Sequence, residues 1–448
     1  MNVSVDFSHP VGKIKPMHGG NFGPRQGGAK LTYDFSKEFE AIGVPFARLH
    51  DVEYPYGQNQ FVDVHCIFPN FEADETLPES YHFASTDEYL SAIVATGCQV
   101  FYRLGESIDH FPQPLYIHPP KDFQKWARIC EHIIRHYNEG WAEGFHFGIR
   151  YWEIWNEPDN RKMWTGTREQ FFELYRVTAN HLKACFGDTI RVGGYAATGF
   201  YMLNRTANMR DWFYTLVPYM EEFLRYITAP ETRAPIDFFS WHCYADTPEE
   251  VALHAGFARE LLKKYGLGEI ESILDEFNLY YCFSEFSPLH KGCFADLAAS
   301  MILAQKSSLD VLMHYDFGAR PNTYNNIFTV GMDNKTVLHY AGYESMADFG
   351  ALYRLGTEVE THGDAEGAVN LLAAVNETEG GLLLCSRTYS GEITLRLDGV
   401  PFPHYQIKRT TDDPSGCPVI TVSEKFSIGS EPISLQIQAP ELVYLRLL

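Results

Sequence analysis

From about residue 14 to 348, short apolar or β-branched runs alternate with longer stretches whose apolar positions recur at helical spacing. The short runs read as strands buried on both faces, and the longer stretches read as amphipathic helices. PFARLH (45–50) precedes a loop and then STDEYLSAIVATG (85–97), which predicts a helix with Ser85 or Thr86 as N-cap and Gly97 as its stop. CQVFYRLGES (98–107) precedes FQKWARICEHIIRHYNEG (123–140), and IRYWEIWNE (149–157) precedes REQFFELYRVTANHLKACFG (168–187). The same order repeats for TIRVGGY (189–195) with 211–227, IDFFSWHCY (236–244) with 248–266, and SILDEFNLY (272–280) with 294–308. LDVLMHYDFG (309–318) is the last such run, and KPMHGGNFG near the start supplies the first.

Eight strands separated by helices imply parallel pairing with crossover connections, and within about 335 residues a (β/α)8 TIM barrel fits better than an open sheet. The turn HGGNFG also lacks the G-x-G-x-x-G phosphate pattern expected of an open dinucleotide-binding sheet. After about residue 350 the texture changes to short β-rich segments with Gly, Asn, Asp and Pro punctuation, such as GGLLLCSRTY and LVYLRLL. These predict a β-sandwich over 349–448 appended to a catalytic barrel over 14–348. The opening segment NVSVDF alternates as a strand does, so residues 1–13 are expected to join that second domain.

Composition narrows the function. The 58 acidic and 36 basic residues leave a formal net charge of −22, and no Lys/Arg-rich run interrupts it, which excludes a nucleic-acid partner. No apolar run approaches the roughly 18 residues of a membrane span, so no membrane partner is expected. Nine cysteines are scattered without C-x-x-C or Cys/His ligand spacing, so no metal and no organic cofactor is expected. The start, MNVSVDFSHPVGKIKP, lacks a basic region followed by an apolar one, and this with the cysteine usage leads to an expectation of a cytoplasmic protein. Aromatic residues at 15% read either as core or as platforms for the C–H faces of sugars.

The densest chemical signal is YWEIWNEPD (151–159). Glu157 stands at the C-terminal end of the fourth strand, the end at which barrel active sites lie. Beside Trp155 its carboxyl is expected to titrate high, as a general acid requires. Asn156 is placed to hydrogen-bond a substrate hydroxyl. Glycosidic cleavage needs a second carboxylate, and SILDEFNLY offers Asp275 and Glu276 near the end of the seventh strand. Strand alternation allows only one of them to face the barrel axis and does not say which, with Asp275 as an outward capping or ion-paired residue one alternative. Arg48 and His50 in ARLHD share a face, as do His242 and Tyr244 in SWHCY, and all four are candidates for the substrate pocket. Glu153 lies deeper on the face of Glu157 and suits a buried structural role. Glu106 and Asp316 are the rival strand-end carboxylates. Trp164, Tyr315 and Phe317 are candidate sugar platforms.

With these residues in place the chain resembles the clan A glycoside hydrolases, and within them glycoside hydrolase family 39, known for β-xylosidases and α-L-iduronidases. The matching strings are RLHD, WEIWNEPD, DFFSWHCY and DEFN, in order and with the appended β domain. The resemblance implies a retaining exo-glycoside hydrolase, β-xylosidase-like, acting on a small oligosaccharide or glycoside. It assigns Glu157 as acid/base and Glu276 as nucleophile, and places Asn156, Arg48, His50, His242 and Tyr244 around the sugar. The sequence departs from the family in SWHCY, where a small residue is expected before the His, and in His314–Asp316, where xylosidase-like members tend to carry a Trp. A uronic-acid-specific enzyme would instead need a cation at the pocket, for which Arg25, Arg161, Lys162 and Arg320 are the candidates. Another exo-glycosidase (a β-glucosidase, β-galactosidase or arabinosidase) and a catalytically silent carbohydrate-binding barrel are the remaining alternatives.

Overall fold

The computed structural model describes residues 1–26, 33–52, 61–108, 112–203, 209–318, 323–331, 333 and 335–448. Eight parallel strands close into a barrel: β1 (Gly19–Asn21), β2 (Phe46–Arg48), β3 (Gln99–Leu104), β4 (Tyr151–Ile154), β5 (Arg191–Ala197), β6 (Phe238–Ala245), β7 (Glu271–Leu279) and β8 (Val311–His314). Each strand pairs with its sequence neighbour, and the ring closes where Met313 and His314 of β8 pair with Gly19 and Gly20 of β1. Every run read as a barrel strand lies in this ring.

The helices between strands owe their ends to local chemistry. Phe123–Glu139 begins where the Asp122 side chain accepts the Lys125 N–H, and it stops at Gly140 in the left-handed conformation. Arg168–Phe186 opens with a reciprocal capping box between Thr167 and Gln170. The helix expected to be capped by Ser85 or Thr86 starts one residue earlier, at Ala84, with Phe83 before it and no side-chain cap. Thr86 instead turns inward and donates its hydroxyl to the Phe61 carbonyl.

Side chains inside the barrel form levels. Phe46, Phe101, Tyr151, Phe238, Ile273, Val311 and Met313 make an apolar plug at the N-terminal end. Two residues further along the strands the interior turns polar, with Arg48, Glu153 and Ser240 all fully buried. Gly193 on β5 leaves room for this packing, because a Cβ there would meet the Phe238 carbonyl oxygen at 2.2 Å. The polar level is the floor on which the candidate site stands.

The second unit is one ten-stranded sheet that curls round its own apolar core of Val5, Leu371, Leu384, Leu395, Val443 and Leu445, among others. The N-terminal strand Asn2–Lys13 belongs to it, antiparallel to Thr357–His362 and parallel to Gly391–Asp398. Helix Ala341–Leu355 packs on both the barrel helices and this sheet, and Lys408 on the sheet pairs with its Glu344 (2.8 Å) and Asp348. A division at 348/349 therefore falls inside a helix, and the sheet resumes at Thr357. All nine cysteines are free. Among the described residues no helix is long and apolar enough to cross a membrane.

Candidate active site

The fourth strand is regular only to Ile154. Trp155 (φ 70°) and Glu157 (φ 42°) both adopt left-handed backbone, which side-chain-bearing residues avoid unless their surroundings hold them there. The hold is visible. The Trp155 N–H donates to the Leu104 carbonyl at 2.6 Å, its indole N–H donates to the Met163 carbonyl at 2.8 Å, and the Glu157 N–H donates to the Ala196 carbonyl at 3.0 Å. The turn at 155 resets the alternation, so that Trp155 packs outward on Trp126 and Trp164 while Asn156 and Glu157 face the barrel mouth with Glu153 beneath.

Strand β7 solves the same problem by another route. Its register against β6 and β8 shifts after Leu274, a β-bulge that inserts one residue and breaks the two-residue period. Asp275 and Glu276 both turn inward as a result. The expectation that only one of them faces the axis, and that Asp275 caps or pairs outside the barrel, is corrected: Asp275 is fully buried, with Oδ2 2.9 Å from Arg48 Nε.

Arg48 is the hub of the floor. It lies 2.8 Å from Glu153, 2.9 Å from Asp275 and 3.3 Å from Glu276, and it donates to the side-chain oxygens of Asn156 (2.6 Å) and Asn21 (3.2 Å). Burial opposes its charge, but Asp275, Glu153 and Glu276 outweigh burial and raise its pKa. Burial would also raise Glu153, yet Arg48 and the Ser240 hydroxyl, which donates at 2.5 Å, hold it below its ordinary value. For Asp275 burial wins: opposed by Arg48 and reinforced by the Glu153 charge, it pushes this carboxyl well up. Burial and the Glu153 charge thus shift Asp275 toward its neutral form, while Arg48 and Ser240 favour the charged form of Glu153.

Above this floor stand the two glutamates. Glu276 accepts the Tyr244 hydroxyl at 2.6 Å on Oε1 and the Arg48 guanidinium at 3.3 Å on Oε2. Burial and the Glu276 charge raise the Tyr244 phenol well above its ordinary range, so Tyr244 remains the donor. Glu157 receives weaker support. Asn160 donates to its Oε2 at 3.0 Å and His242 Nδ1 lies 2.8 Å from its Oε1. Burial pushes its carboxyl up to about 7, against the smaller opposing effects of Asn160 and Arg48. Burial likewise depresses His242 to about 4, so this imidazole is neutral near pH 7. Its Nδ1 stands between the two glutamates, 3.7 Å from Glu276 Oε2, and one ligating atom each of Glu157, His242 and Glu276 lie within 4.8 Å of one another.

The remaining sequence candidates divide. His50 lies at the pocket wall, with Nε2 3.3 Å from Asp51, and Tyr315 donates its hydroxyl to Asp51 at 3.2 Å. Trp164 is not a sugar platform: it is 3% exposed, donates its indole N–H to the Thr167 carbonyl and packs edge-on against Trp155 and Phe171. Phe317 is core as well, wedged between Phe39 and Phe328. Glu106 is taken up by His65 in a short hydrogen bond, and Asp316 accepts the Gly318 N–H at 2.9 Å. Arg25 pairs with Asp34 at 2.6 Å, Arg161 and Lys162 are exposed, and Arg320 lies outside the described residues. Reading by strand period missed Asn160 and Asp51. Asp51 ends the string RLHD and Asn160 directly follows WEIWNEPD, and loop geometry rather than strand period turns them to the site.

The model of glycosyl hydrolases family 39 matches residues 1–290. The chain belongs to this family. Two relatives, the beta-xylosidases of Caldicellulosiruptor saccharolyticus and Geobacillus stearothermophilus, are each 23% identical, over 335 and 310 residues. These matches cover 70% and 63% of this chain, which spans only 61% and 56% of the relatives' own lengths. Among solved structures a glucosidase from Croceicoccus marinus superposes with a TM-score of 0.79 at 21% identity, covering 99% of this chain and 98% of that one. That likeness extends the shared fold across both units.

Proposed function

We propose that the chain is a retaining, exo-acting glycoside hydrolase that cleaves neutral β-glycosides, β-xylosides first among them, with Glu276 as nucleophile and Glu157 as general acid and base. The observation that carries the reading is the unequal treatment of two neighbouring glutamates. One is pinned by a phenol and a guanidinium that both favour its charge, while burial keeps the other protonated up to about pH 7. Carboxylate oxygens of the two lie within 4.8 Å of each other, which suits a direct displacement, for which carboxyl groups stand roughly 5–5.5 Å apart, better than inversion at roughly 6.5–9.5 Å.

In the first step a Glu276 carboxylate oxygen bonds to the anomeric carbon as the bond to the leaving oxygen breaks, and Glu157 delivers its proton to that oxygen. In the second, Glu157 takes a proton from water, whose oxygen displaces Glu276 and releases the sugar. Arg48 and Tyr244 stabilise the departing carboxylate. Arg48 also takes the carbonyl oxygen of Asn156, which leaves the amide N–H2 as the donor that side chain offers a sugar hydroxyl. Two relatives of the chain bear the name beta-xylosidase, which favours a xyloside. The nine free thiols favour a reducing, cytoplasmic setting.

A panel of nitrophenyl glycosides tests the reading: β-xyloside, β-glucoside, β-galactoside, α-L-arabinofuranoside and β-glucuronide. Turnover is expected on the β-xyloside. A preference for the uronide would replace the substrate assignment, and no turnover on any member would favour a silent carbohydrate-binding barrel.

A further inference from the structure

Asp51 follows β2 at the rim of the pocket, three residues beyond Arg48, with φ 53°, a conformation that favours glycine. Its surroundings hold the residue in that conformation. Its N–H donates to Ser107 Oγ at 3.2 Å, and its Oδ1 accepts the Ile108 N–H at 3.2 Å. Oδ2 accepts the Tyr315 hydroxyl at 3.2 Å and lies 3.3 Å from His50 Nε2. The carboxyl thus joins β2, the loop after β3 and the residue after β8, and it is not sealed: its side chain is 17% exposed, beside 9% for Glu276 and 13% for Glu157. Burial first, and then the Glu276 charge, push this carboxyl up to about 7.

We propose that Asp51 is a specificity-determining residue whose carboxyl group hydrogen-bonds a hydroxyl of the sugar lying over Glu276 and excludes sugars that carry a carboxylate. The inference rests on the glycosidase reading and adds to it the class of sugar admitted. A partly buried polar group that loses its partner discriminates strongly against a substrate lacking the matching hydroxyl. Charge discriminates in the same direction. Arg48 is already committed to Glu153, Asp275, Glu276 and Asn156, and Arg103, whose charge acts on Asp51, is fully buried and held by Asp63 and Ser107. His50 is kept neutral by burial and by the nearby Arg48 and Arg103 charges. A uronate would therefore bring a further negative charge to Asp51 and Glu276, with Arg48 and Arg103, among the described residues, already engaged.

The test measures kcat/KM of the wild type, Asp51→Asn and Asp51→Gly on nitrophenyl β-xyloside, its 2-, 3- and 4-deoxy forms, and nitrophenyl β-glucuronide. Glycine suits the left-handed backbone and asparagine keeps the shape, so each variant guards against misfolding of the other. One deoxy position is expected to cost the wild type roughly ten- to hundredfold, the range for a hydrogen bond to a charged group. At that position the penalty is expected to fall below about threefold in Asp51→Gly, and Asp51→Asn is expected to raise the glucuronide-to-xyloside ratio about tenfold or more. A merely structural role would slow every substrate by one common factor, and unchanged deoxy penalties in both variants overturn the proposal while leaving the glycosidase reading intact. A wild type that hydrolyses none of these glycosides overturns both.

Discussion

Replacing Glu157 by Gln is expected to stabilise the protein, and to do so only above acid pH. The folded carboxyl titrates at about 7 against an ordinary value of 4.5, so the native state holds a proton that the unfolded chain has already lost across that window. Stability therefore falls as pH rises from 4.5 to 7, and the ionised, poorly solvated carboxylate carries the full cost above 7. The difference of about 2.5 units corresponds to about 3 kcal/mol at 1.36 kcal/mol per unit. Spread over an unfolding entropy of about 2.1 cal/mol/K per residue for the whole chain, it corresponds to about 3–4 °C in Tm. Thermal melts of wild type and Glu157→Gln from pH 4 to 8 read this directly. The two curves are expected to lie together at pH 4 and to separate by a few degrees at pH 8, with the variant higher. A gap that is constant with pH, or largest in acid, would refute the claim that burial holds Glu157 protonated.

Other consequences follow from the same site. The kcat/KM of the wild type on a glycoside with a basic leaving group is expected to fall above about pH 7 as Glu157 deprotonates, whereas Glu157→Gln loses that limb and is slowed far more on basic than on activated aryl leaving groups. Asp275→Asn is expected to cost less than about 1 kcal/mol in urea melts, because burial and the Glu153 charge already push this carboxyl toward its neutral form; Arg48→Met, which strands buried carboxylates, is expected to cost about 3–5 kcal/mol or to prevent folding. Trp164→Ala is expected to lower stability by about 3–5 kcal/mol through the cavity it leaves while KM stays unchanged, and a raised KM would return Trp164 to the pocket.

The barrel was legible in the sequence because all eight strands are short and buried on both faces, so each appears as an apolar run between helical stretches. The N-terminal strand was legible from alternation, since Val3, Val5 and Phe7 point into the second core. Helix Ala341–Leu355 was not, because it packs against both units and its apolar positions run into the β-rich texture that follows. The pocket was legible to the extent that strand period governs it, as for Arg48, His242 and Tyr244. Period misled where the backbone leaves the strand. A bulge turns both Asp275 and Glu276 inward, and two left-handed residues turn Trp155 outward and Glu157 to the pocket. Trp164 misled for another reason: a Trp just after an active-site loop fills the space behind Trp155, and composition does not separate the two roles.

Glu276 as nucleophile is put to the test by trapping the covalent intermediate. The protein is incubated with a 2-deoxy-2-fluoro xyloside bearing an activated leaving group, digested, and mapped by peptide mass spectrometry. A single fluorosugar is expected on the peptide containing SILDEFNLY, attached to Glu276, with loss of activity in proportion to label. A label on Asp275, Glu157 or Asp51, or steady turnover with no label and release of the inverted anomer, would contradict it.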